Sequence, residues 1–296
     1  MISGFVLTII ALTLLGLCLG SFAGATVWRL RARQLVSDKK HGEAVPKDEL
    51  KQLKPLVKGA FGHKDHSRCL HCGYELRWYD LIPLVSWITL RGKCRNCRKP
   101  IGTFEPLIEL GTAAYFVGSF LLWPEPLATP FAITLFALWL AAGVFMAILF
   151  AYDAKWFLLP DVASLGLSVV GAVISIISIA TSERPLTTFF SVVASVGILS
   201  GIYLLLYLIS KGKWIGFGDI KLGLGLGLLL VDWRLALIAL FAANLVGTLI
   251  VLPGMVRGKL KSQTRIPFGP LLITGTVIAQ LWGLWVIETF FWTLFV

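Results

Sequence analysis

Charged residues are scarce in this sequence: Asp, Glu, Lys and Arg make up 15% of its 296 residues, whereas hydrophobic types make up 57%. Soluble domains carry about 25% charged residues, so this composition excludes an ordinary soluble globular protein. Acidic residues are scarcer than basic ones, at 16 against 27. An aspartate within an apolar run costs about 3 kcal/mol in a bilayer, so each one found there indicates a functional site.

A cleavable export signal is also missing. The first apolar run, from Ile2 to about Val27, is long for a signal-peptide core and lacks a basic start and a small-residue cleavage site. We therefore predict that residues 1–28 form a first transmembrane helix that is retained. The small residues from Gly20 to Gly24 would allow another helix to pack closely against it.

Seven further apolar runs follow a polar segment and predict seven more spans. The predicted fold is therefore an all-α polytopic membrane protein with about eight transmembrane helices and a small cytoplasmic domain between the first two. Its predicted parts are the first helix at 1–28, a basic domain at 29–104 and a seven-helix membrane domain at 105–296. The seven later spans are expected at 106–123, 131–152, 161–181, 187–210, 219–232, 234–256 and 268–293.

Basic residues concentrate in the polar segment, where 17 Lys and Arg stand against 7 Asp and Glu between Arg29 and Lys99. Such an excess could serve nucleic acid binding. Beside membrane helices it is more typical of retention on the cytoplasmic side, helped by anionic lipid. We therefore expect a lipid bilayer and no nucleic acid as a partner. With eight spans, alternation puts the other basic loops on that same side and both termini on the opposite side.

The stretch 34–66 of the polar segment is charged and has no strong periodicity. A short helix could begin after Pro46, with Leu50 and Leu53 on one face, although Pro55 argues against a long one. A mobile or interfacial insert is the favoured interpretation.

Four of the five cysteines form two CxxC motifs, Cys69-Leu-His-Cys72 and Cys94-Arg-Asn-Cys97. Each motif offers two sulfurs from one tight turn, so the two turns together predict a tetrahedral, structural Zn²⁺ site of the zinc-ribbon type. A pair of disulfides is the alternative, which a reducing cytoplasm disfavours. His63, His66 and His71 are near enough to replace a ligand. The fifth cysteine, Cys18, is interpreted as a small packing residue within the first span.

Two aspartates lie at the ends of apolar runs, Asp153 before Ala-Lys-Trp and Asp219 within Gly-Phe-Gly-Asp. The predicted orientation brings both to the cytoplasmic membrane face. Two neighbouring carboxyl groups can hydrolyse a peptide when one is ionised and takes a proton from water while the other is protonated and donates one. The pair therefore predicts an aspartyl peptidase.

The residues around the two acids suit that chemistry. Gly216 and Gly218 have no side chains to keep an extended substrate backbone away. Pro160 would end the helix after Asp153 and expose main-chain groups. Asp161 is the rival to Asp153, and we interpret it as a helix cap.

Two other patterns have a functional and a structural interpretation. Glu109, one turn into the second span, either pairs with a base near the interface or forms part of a second site. Gly223-Leu-Gly-Leu-Gly227 resembles a nucleotide-binding loop, but no strand precedes it. Glycines four apart favour a helix-packing groove.

Taken together, these residues resemble the type IV prepilin peptidases, bifunctional leader peptidase/N-methyltransferases of the bacterial inner membrane. The chain departs from the common family pattern at Ala23-Gly24, where an Asn is usual, and at Leu70, where a Pro is frequent. Neither departure touches the acids or the cysteines. The stretches that carry the resemblance span nearly the whole chain, in order: GSFAGATVWRL at 20–30, CLHCGYELRWYDLIPLVSWITLRGKCRNCRKPIG at 69–102, PLIELGTA at 106–113, DAKWFLLPD at 153–161, GFGDIKLG at 216–223 and IPFGPLL at 266–272.

The resemblance implies a multi-pass inner-membrane enzyme whose active site faces the cytoplasm. It would cut the basic leader from type IV prepilins and type II secretion pseudopilins, with Asp153 and Asp219 as the catalytic pair. It would then methylate the new N-terminal residue with S-adenosylmethionine, for which Gly92, Lys93 and Glu109 are the candidate contacts. The alternative is a zinc-bearing assembly protein of a secretion system, in which the two aspartates only form ion pairs with Lys155 and Lys221.

Overall fold

The structure is a computed structural model that describes residues 2–57, 66–258 and 266–295. It is helical in all its long elements, and the described residues contain no strand, only isolated antiparallel bridges. The chain divides into two compact units, Met1–Gly118 and Ser119–Val296. The predicted all-α fold is confirmed.

The first unit contains α1 (Ile2–Lys40), α2 (Lys47–Leu53), α3 (Val85–Thr89) and most of α4 (Phe104–Leu122). Short 3₁₀ turns follow α2 at Lys54–Leu56 and precede α3 at Trp78–Leu81.

Close packing within this unit depends on the small residues of α1. A Cβ on Gly16 would come within 2.6 Å of Ala113 Cα, and a Cβ on Gly20 within 2.7 Å of Glu109 Cα. The predicted packing role of the Gly20 region is confirmed, because only glycine lets the two backbones approach this closely.

The stretch interpreted as a mobile insert is partly ordered. Helix α1 continues to Lys40, well past the predicted end of the first span, and α2 packs beside it. Leu53 of α2 is buried against Ala32 and Leu35 of α1, and Arg31 forms an ion pair with Glu49 at 2.8 Å. Burial of apolar residues at helical spacing offsets the entropy cost of ordering the chain. The many charged residues of this stretch obscured that apolar pattern in the sequence.

The second unit contains seven helices in its described residues: α5 (Pro130–Trp156), α6 (Asp161–Thr181), α7 (Pro185–Val196), α8 (Ile202–Ser210), α9 (Phe217–Leu230), α10 (Trp233–Val256) and α11 (Phe268–Phe295). A π-helical turn at Gly197–Gly201 joins α7 to α8, so the two form one continuous rod. Helix α9 lies at the centre and contacts every other helix of the unit except α5 in the principal packing pairs.

Each of the eight predicted spans is helical, and six helices among the described residues are long and apolar enough to cross a membrane. The remaining two are α4, which carries two glutamates, and α9, which has 14 residues. At 1.5 Å per residue α9 is about 21 Å long, shorter than the ~30 Å hydrocarbon layer. It is therefore a short helix enclosed by longer ones.

The glycines of α9 make this enclosure possible. A Cβ on Gly223 would lie 1.8 Å from Leu199 O, and one on Gly227 would lie 2.8 Å from Val196 Cα. Gly225 faces Leu167 of α6 in the same way. The helix-packing interpretation of this glycine run is confirmed.

Candidate active site and metal site

Asp153 lies in the last turn of α5, where it is buried. Its Oδ2 accepts a hydrogen bond of 2.9 Å from the main-chain N–H of Gly269, just inside the start of α11. Helix α5 ends three residues later at Trp156, and Phe157 takes a left-handed conformation with φ of 57°. The chain then turns through Pro160 into α6, as the sequence predicts.

Asp219 lies in the first turn of α9, where it is partly buried. Its Oδ2 accepts a hydrogen bond of 3.2 Å from the main-chain N–H of Gly216, the residue before the helix. A carboxylate is stabilised at this position because the free N–H groups of a helix start carry partial positive charge.

Leu159 lies between the two acids. Its side chain is 3.1 Å from the Cβ position of Gly218, the neighbour of Asp219. The same side chain lies 3.4 Å from the Cβ position of Gly269, and Asp153 Oδ2 is 2.8 Å from that position. The fold therefore brings together the two acids that the sequence singled out, 66 positions apart in the numbering.

Neither acid forms an ion pair with a described residue. Lys221 instead pairs with Asp161, at 2.7 Å between Nζ and Oδ1, and the Lys155 ammonium lies over the Trp156 ring at 5.0 Å. The alternative of a non-catalytic assembly protein expected Lys221 to pair with one of the two acids, and Lys221 pairs with Asp161 instead. The interpretation of Asp161 as a cap is wrong, because Pro160 occupies the cap position and Asp161 follows it in the first turn of α6.

The four cysteines of the first unit form one cluster whose sulfurs all lie within 4.8 Å of one another. The Sγ atoms of Cys69 and Cys97 are 4.0 Å apart, and those of Cys72 and Cys94 are 3.9 Å apart. Zn–S bonds of about 2.3 Å in a tetrahedron place sulfurs about 3.8 Å apart, so these residues fit Zn²⁺. All four cysteines are free thiols, and the disulfide alternative is not adopted.

The two CxxC turns have the same main-chain geometry. An antiparallel bridge closes each of them, Arg68 with Glu75 and Lys93 with Pro100. In each turn the N–H of the residue after the second cysteine returns to the carbonyl of the first, at 2.9 and 3.0 Å. Among the described residues no histidine joins the cluster. His63 lies outside the described residues.

A cavity of about 210 Å³ adjoins the cysteine cluster within the first unit. Glu109 lines it and is buried, with hydrogen bonds from the main-chain N–H of Leu84, at 2.8 Å, and from the Ser21 hydroxyl. Gly92 and Lys93 do not line it, although Gly92 packs against the Trp87 ring, which does. Of the three candidate cofactor contacts, one therefore belongs to the cavity.

Among the polar residues of this cavity that sequence reasoning missed are Asp80, Arg95 and Glu105. Asp80 is buried and pairs with Arg95 at 2.7 Å, and its hydrogen bond raises the pKa of the Arg95 guanidinium. Glu105 accepts a hydrogen bond of 2.8 Å from Trp28 Nε1. Glu105 and Glu109 are four residues apart, which places both on one face of α4 and was a usable signal.

Fold and site together define a polytopic helical membrane protein in which two aspartates lie at helix ends that pack on one leucine, and a separate four-cysteine cluster suits a metal. Two family models match the chain: the bacterial peptidase A24 N-terminal domain over residues 14–123, and the type IV leader peptidase family over residues 140–252. The chain belongs to the family of type IV prepilin leader peptidase/N-methyltransferases.

The chain is similar over most of its length to curated members of that family. The prepilin leader peptidase/N-methyltransferase of Pseudomonas aeruginosa is 31% identical, with 91% of this chain and 89% of the relative covered. The protein of the same name from Dickeya chrysanthemi is 34% identical, with 89% of each chain covered. The type 4 prepilin-like proteins leader peptide-processing enzyme of Escherichia coli O78:H11 is 31% identical, with 88% and 89% covered. No solved structure matches the chain.

Proposed function

We propose that this protein cleaves the leader peptide of type IV prepilins and type II secretion pseudopilins and then N-methylates the new N-terminal residue. The juxtaposition of Asp153 and Asp219 at two helix ends carries the proposal. The names of its relatives support both activities. We place the protein in the bacterial inner membrane, with the basic segment 29–104 and the two acids facing the cytoplasm, because basic loops are retained on that side.

Hydrolysis by this pair needs one ionised and one protonated carboxyl group. The ionised group takes a proton from water, whose oxygen then forms a bond to the carbonyl carbon of the leader peptide. The protonated group donates its proton to the departing nitrogen, and the amide bond breaks. Main-chain N–H donors hold both carboxylates, so within the described part of the chain the acids are positioned without an ion pair.

The glycines beside Asp219 divide their roles in this proposal. Gly216 is exposed, and a Cβ there would meet only Asp219 Oδ2 at 3.5 Å and a main-chain nitrogen at 4.0 Å. The backbone of an extended substrate can therefore approach the acid over this residue. Gly218 acts on the substrate indirectly in this proposal, because the absence of a side chain there leaves room for Leu159.

The first unit supplies the second activity in this proposal. Cys69, Cys72, Cys94 and Cys97 hold a structural Zn²⁺, which fixes the two CxxC turns against each other. S-adenosylmethionine supplies the methyl group when bound. Glu109, with the Gly92-Lys93 tract, is the proposed contact for it.

A matched set of three substitutions tests the catalytic pair. Asp153→Asn and Asp219→Asn should each reduce prepilin shortening by purified protein in detergent at least 1000-fold, because the amide cannot exchange a proton. Asp161→Asn is the control: it removes an exposed carboxylate that follows Asp153 in the chain and pairs with Lys221, and it should retain cleavage.

Two results would contradict the proposal. Cleavage retained in a folded Asp153→Asn or Asp219→Asn protein would remove the mechanism. A wild-type chain that is folded and shortens no prepilin or pseudopilin would favour the assembly-protein alternative.

A further inference from the structure

The cavity in the first unit combines an apolar wall with carboxylates. It lies among residues of α1, α4 and the CxxC turns. Its volume of about 210 Å³ is below the roughly 300 Å³ at which sites for drug-sized ligands begin, so it can enclose one end of a ligand and not the whole of a drug-sized molecule. Its apolar and aromatic lining includes Trp28, Leu76, Trp87, Leu90, Ile101 and Pro106.

Three arginines and three acids line the cavity: Arg29, Arg68, Arg95, Asp80, Glu105 and Glu109. Arg68 pairs with Glu75, and the acids differ in how fully they are bound. Asp80 and Arg95 neutralise each other. The Glu109 carboxylate has two donors, Leu84 N–H and the Ser21 hydroxyl. Glu105 has one, from Trp28 to Oε1, and its Oε2 is buried with no hydrogen-bond partner among the described residues.

A buried carboxylate oxygen without a donor costs about 1–3 kcal/mol or more, so it is rarely left in that state. A ligand group that satisfies this oxygen must donate a hydrogen bond, and a positively charged donor binds a carboxylate more strongly than a neutral one. An aliphatic ammonium group has both properties, and the apolar wall beside it would cover the side chain attached to the same carbon. The site therefore suits the first residue of a peptide whose side chain is hydrophobic.

We propose that Glu105 binds the α-ammonium group of the processed pilin and prepares it for methylation. This inference rests on the proposed N-methyltransferase function and assigns its acceptor site. Glu105 lies in the first turn of α4, at the end of a helix that is apolar apart from its two glutamates.

The chemistry of the step assigns a proton acceptor to Glu105. An ammonium nitrogen has no lone pair, so it must lose a proton before it can form a bond to carbon. The Glu105 carboxylate takes that proton, and the neutral amine nitrogen bonds to the methyl carbon while the carbon–sulfur electron pair leaves with the donor's sulfur. Glu105 returns its proton to water, and the product is a methylated ammonium.

Binding of a synthetic peptide tests the assignment without any turnover. The probe is a Phe-initiated peptide with a fluorophore at its C-terminal end, prepared with a free or an acetylated α-amine. The host protein carries Asp153→Asn and Asp219→Asn in lipid nanodiscs, so that the peptidase acids do not attract the amine. We expect the free amine to bind at least tenfold more tightly than the acetylated form.

The variant Glu105→Gln keeps an oxygen for Trp28 and removes only the charge. It should weaken binding of the free-amine peptide by about 10- to 100-fold, the range for a hydrogen bond to a charged group, and remove the preference over the acetylated form. Glu183→Gln makes the same change at an exposed site of the second unit and should bind as the parent does. Binding of S-adenosylhomocysteine measures the donor site separately and should survive in both variants.

Three outcomes would overturn the assignment. The first is that Glu105→Gln binds the free-amine peptide as tightly as the parent does, with an unchanged unfolding temperature. The second is that the parent shows no preference for the free amine. The third is that Glu105→Gln loses S-adenosylhomocysteine binding while peptide binding remains. Failure of the peptidase proposal would be seen separately, in the cleavage assay of the Asp153 and Asp219 variants.

Discussion

At the residue scale, the energetic cost of a buried charge made the catalytic candidates predictable. Asp153 and Asp219 were found because an acid at the end of an apolar run needs a reason to be there. Their donors, the N–H groups of Gly269 and Gly216, were not predictable, since any non-proline residue offers a main-chain N–H. Glu105 was missed because a glutamate in the first turn of a helix is also what the helix dipole favours.

Glu109 gives a prediction at this scale. Glu109→Gln keeps the shape of the side chain and weakens its charge-assisted hydrogen bonds to Leu84 and Ser21. We expect methyl transfer to fall by about tenfold while prepilin cleavage continues. Mass spectrometry of the product separates the two, because the methyl group adds a defined mass to the shortened pilin. Equal loss of both activities in a stably folded protein would count against a separate role.

At the scale of elements, α9 was predicted correctly as a helix, but most of its contacts with neighbouring helices were not predictable. The glycine spacing predicted a packing groove, and the groove is filled by α6 and the π-helical turn. Serine hydroxyls on neighbouring helices also donate to three carbonyls of α9 and to the carbonyl of Val231, just after its end. These contacts join residues 20 to 53 positions apart, so no local pattern reveals them; the donors are Ser175, Ser191, Ser195 and Ser200.

Gly223→Ala tests this packing. A methyl group there would lie 1.8 Å from Leu199 O, so α9 and the π-helical turn must move apart, at a cost of about 3 kcal/mol or more. We expect a clear fall in unfolding temperature and loss of cleavage, because Asp219 lies one turn away. Gly111→Ala is the control in α4, where nothing lies within 4 Å of the new atom; its unfolding temperature should stay the same or rise, as alanine is the better helix former. Equal temperatures for Gly223→Ala and wild type would contradict the packing account.

At the scale of the whole molecule, the clustering of the four cysteines was predictable from the sequence. The CxxC spacing predicted the cluster because two tight turns each present two sulfurs, and the sulfurs do converge. The extent of order between 29 and 57 was not readable, since it depends on α2 packing against a continuation of α1 beyond its apolar part.

The metal prediction belongs to this scale. Purified wild-type protein should contain about one Zn²⁺ per chain by elemental analysis. The double variant Cys72→Ser/Cys97→Ser should contain none, because one ligand is lost from each turn. Limited proteolysis should then become faster between 66 and 102, since the metal no longer joins the two turns. Cys18→Ser removes a cysteine outside the cluster and should leave the metal content unchanged. A wild-type chain without metal, or a double variant that retains it, would contradict the site.

The orientation can be measured in intact cells. In a chain whose Cys18 is replaced by Ser, a membrane-impermeant thiol reagent should label Glu125→Cys, in the loop between α4 and α5. Lys213→Cys, in the loop before α9, should react only after the membrane is opened. Both positions are exposed in the structure, so a difference reports the side of the membrane. Labelling of Lys213→Cys in intact cells would reverse the proposed topology.

Substitutions at position 269 should affect activity through the size of the new side chain alone. Gly269 donates a main-chain N–H to Asp153. Every residue except proline has this group, so no other substitution removes the donor. Any side chain would nevertheless meet the carboxylate, which lies 2.8 Å from where a Cβ would stand. A genetic screen for inactive alleles should therefore recover many different substitutions there, all harmful through bulk and with no dependence on polarity.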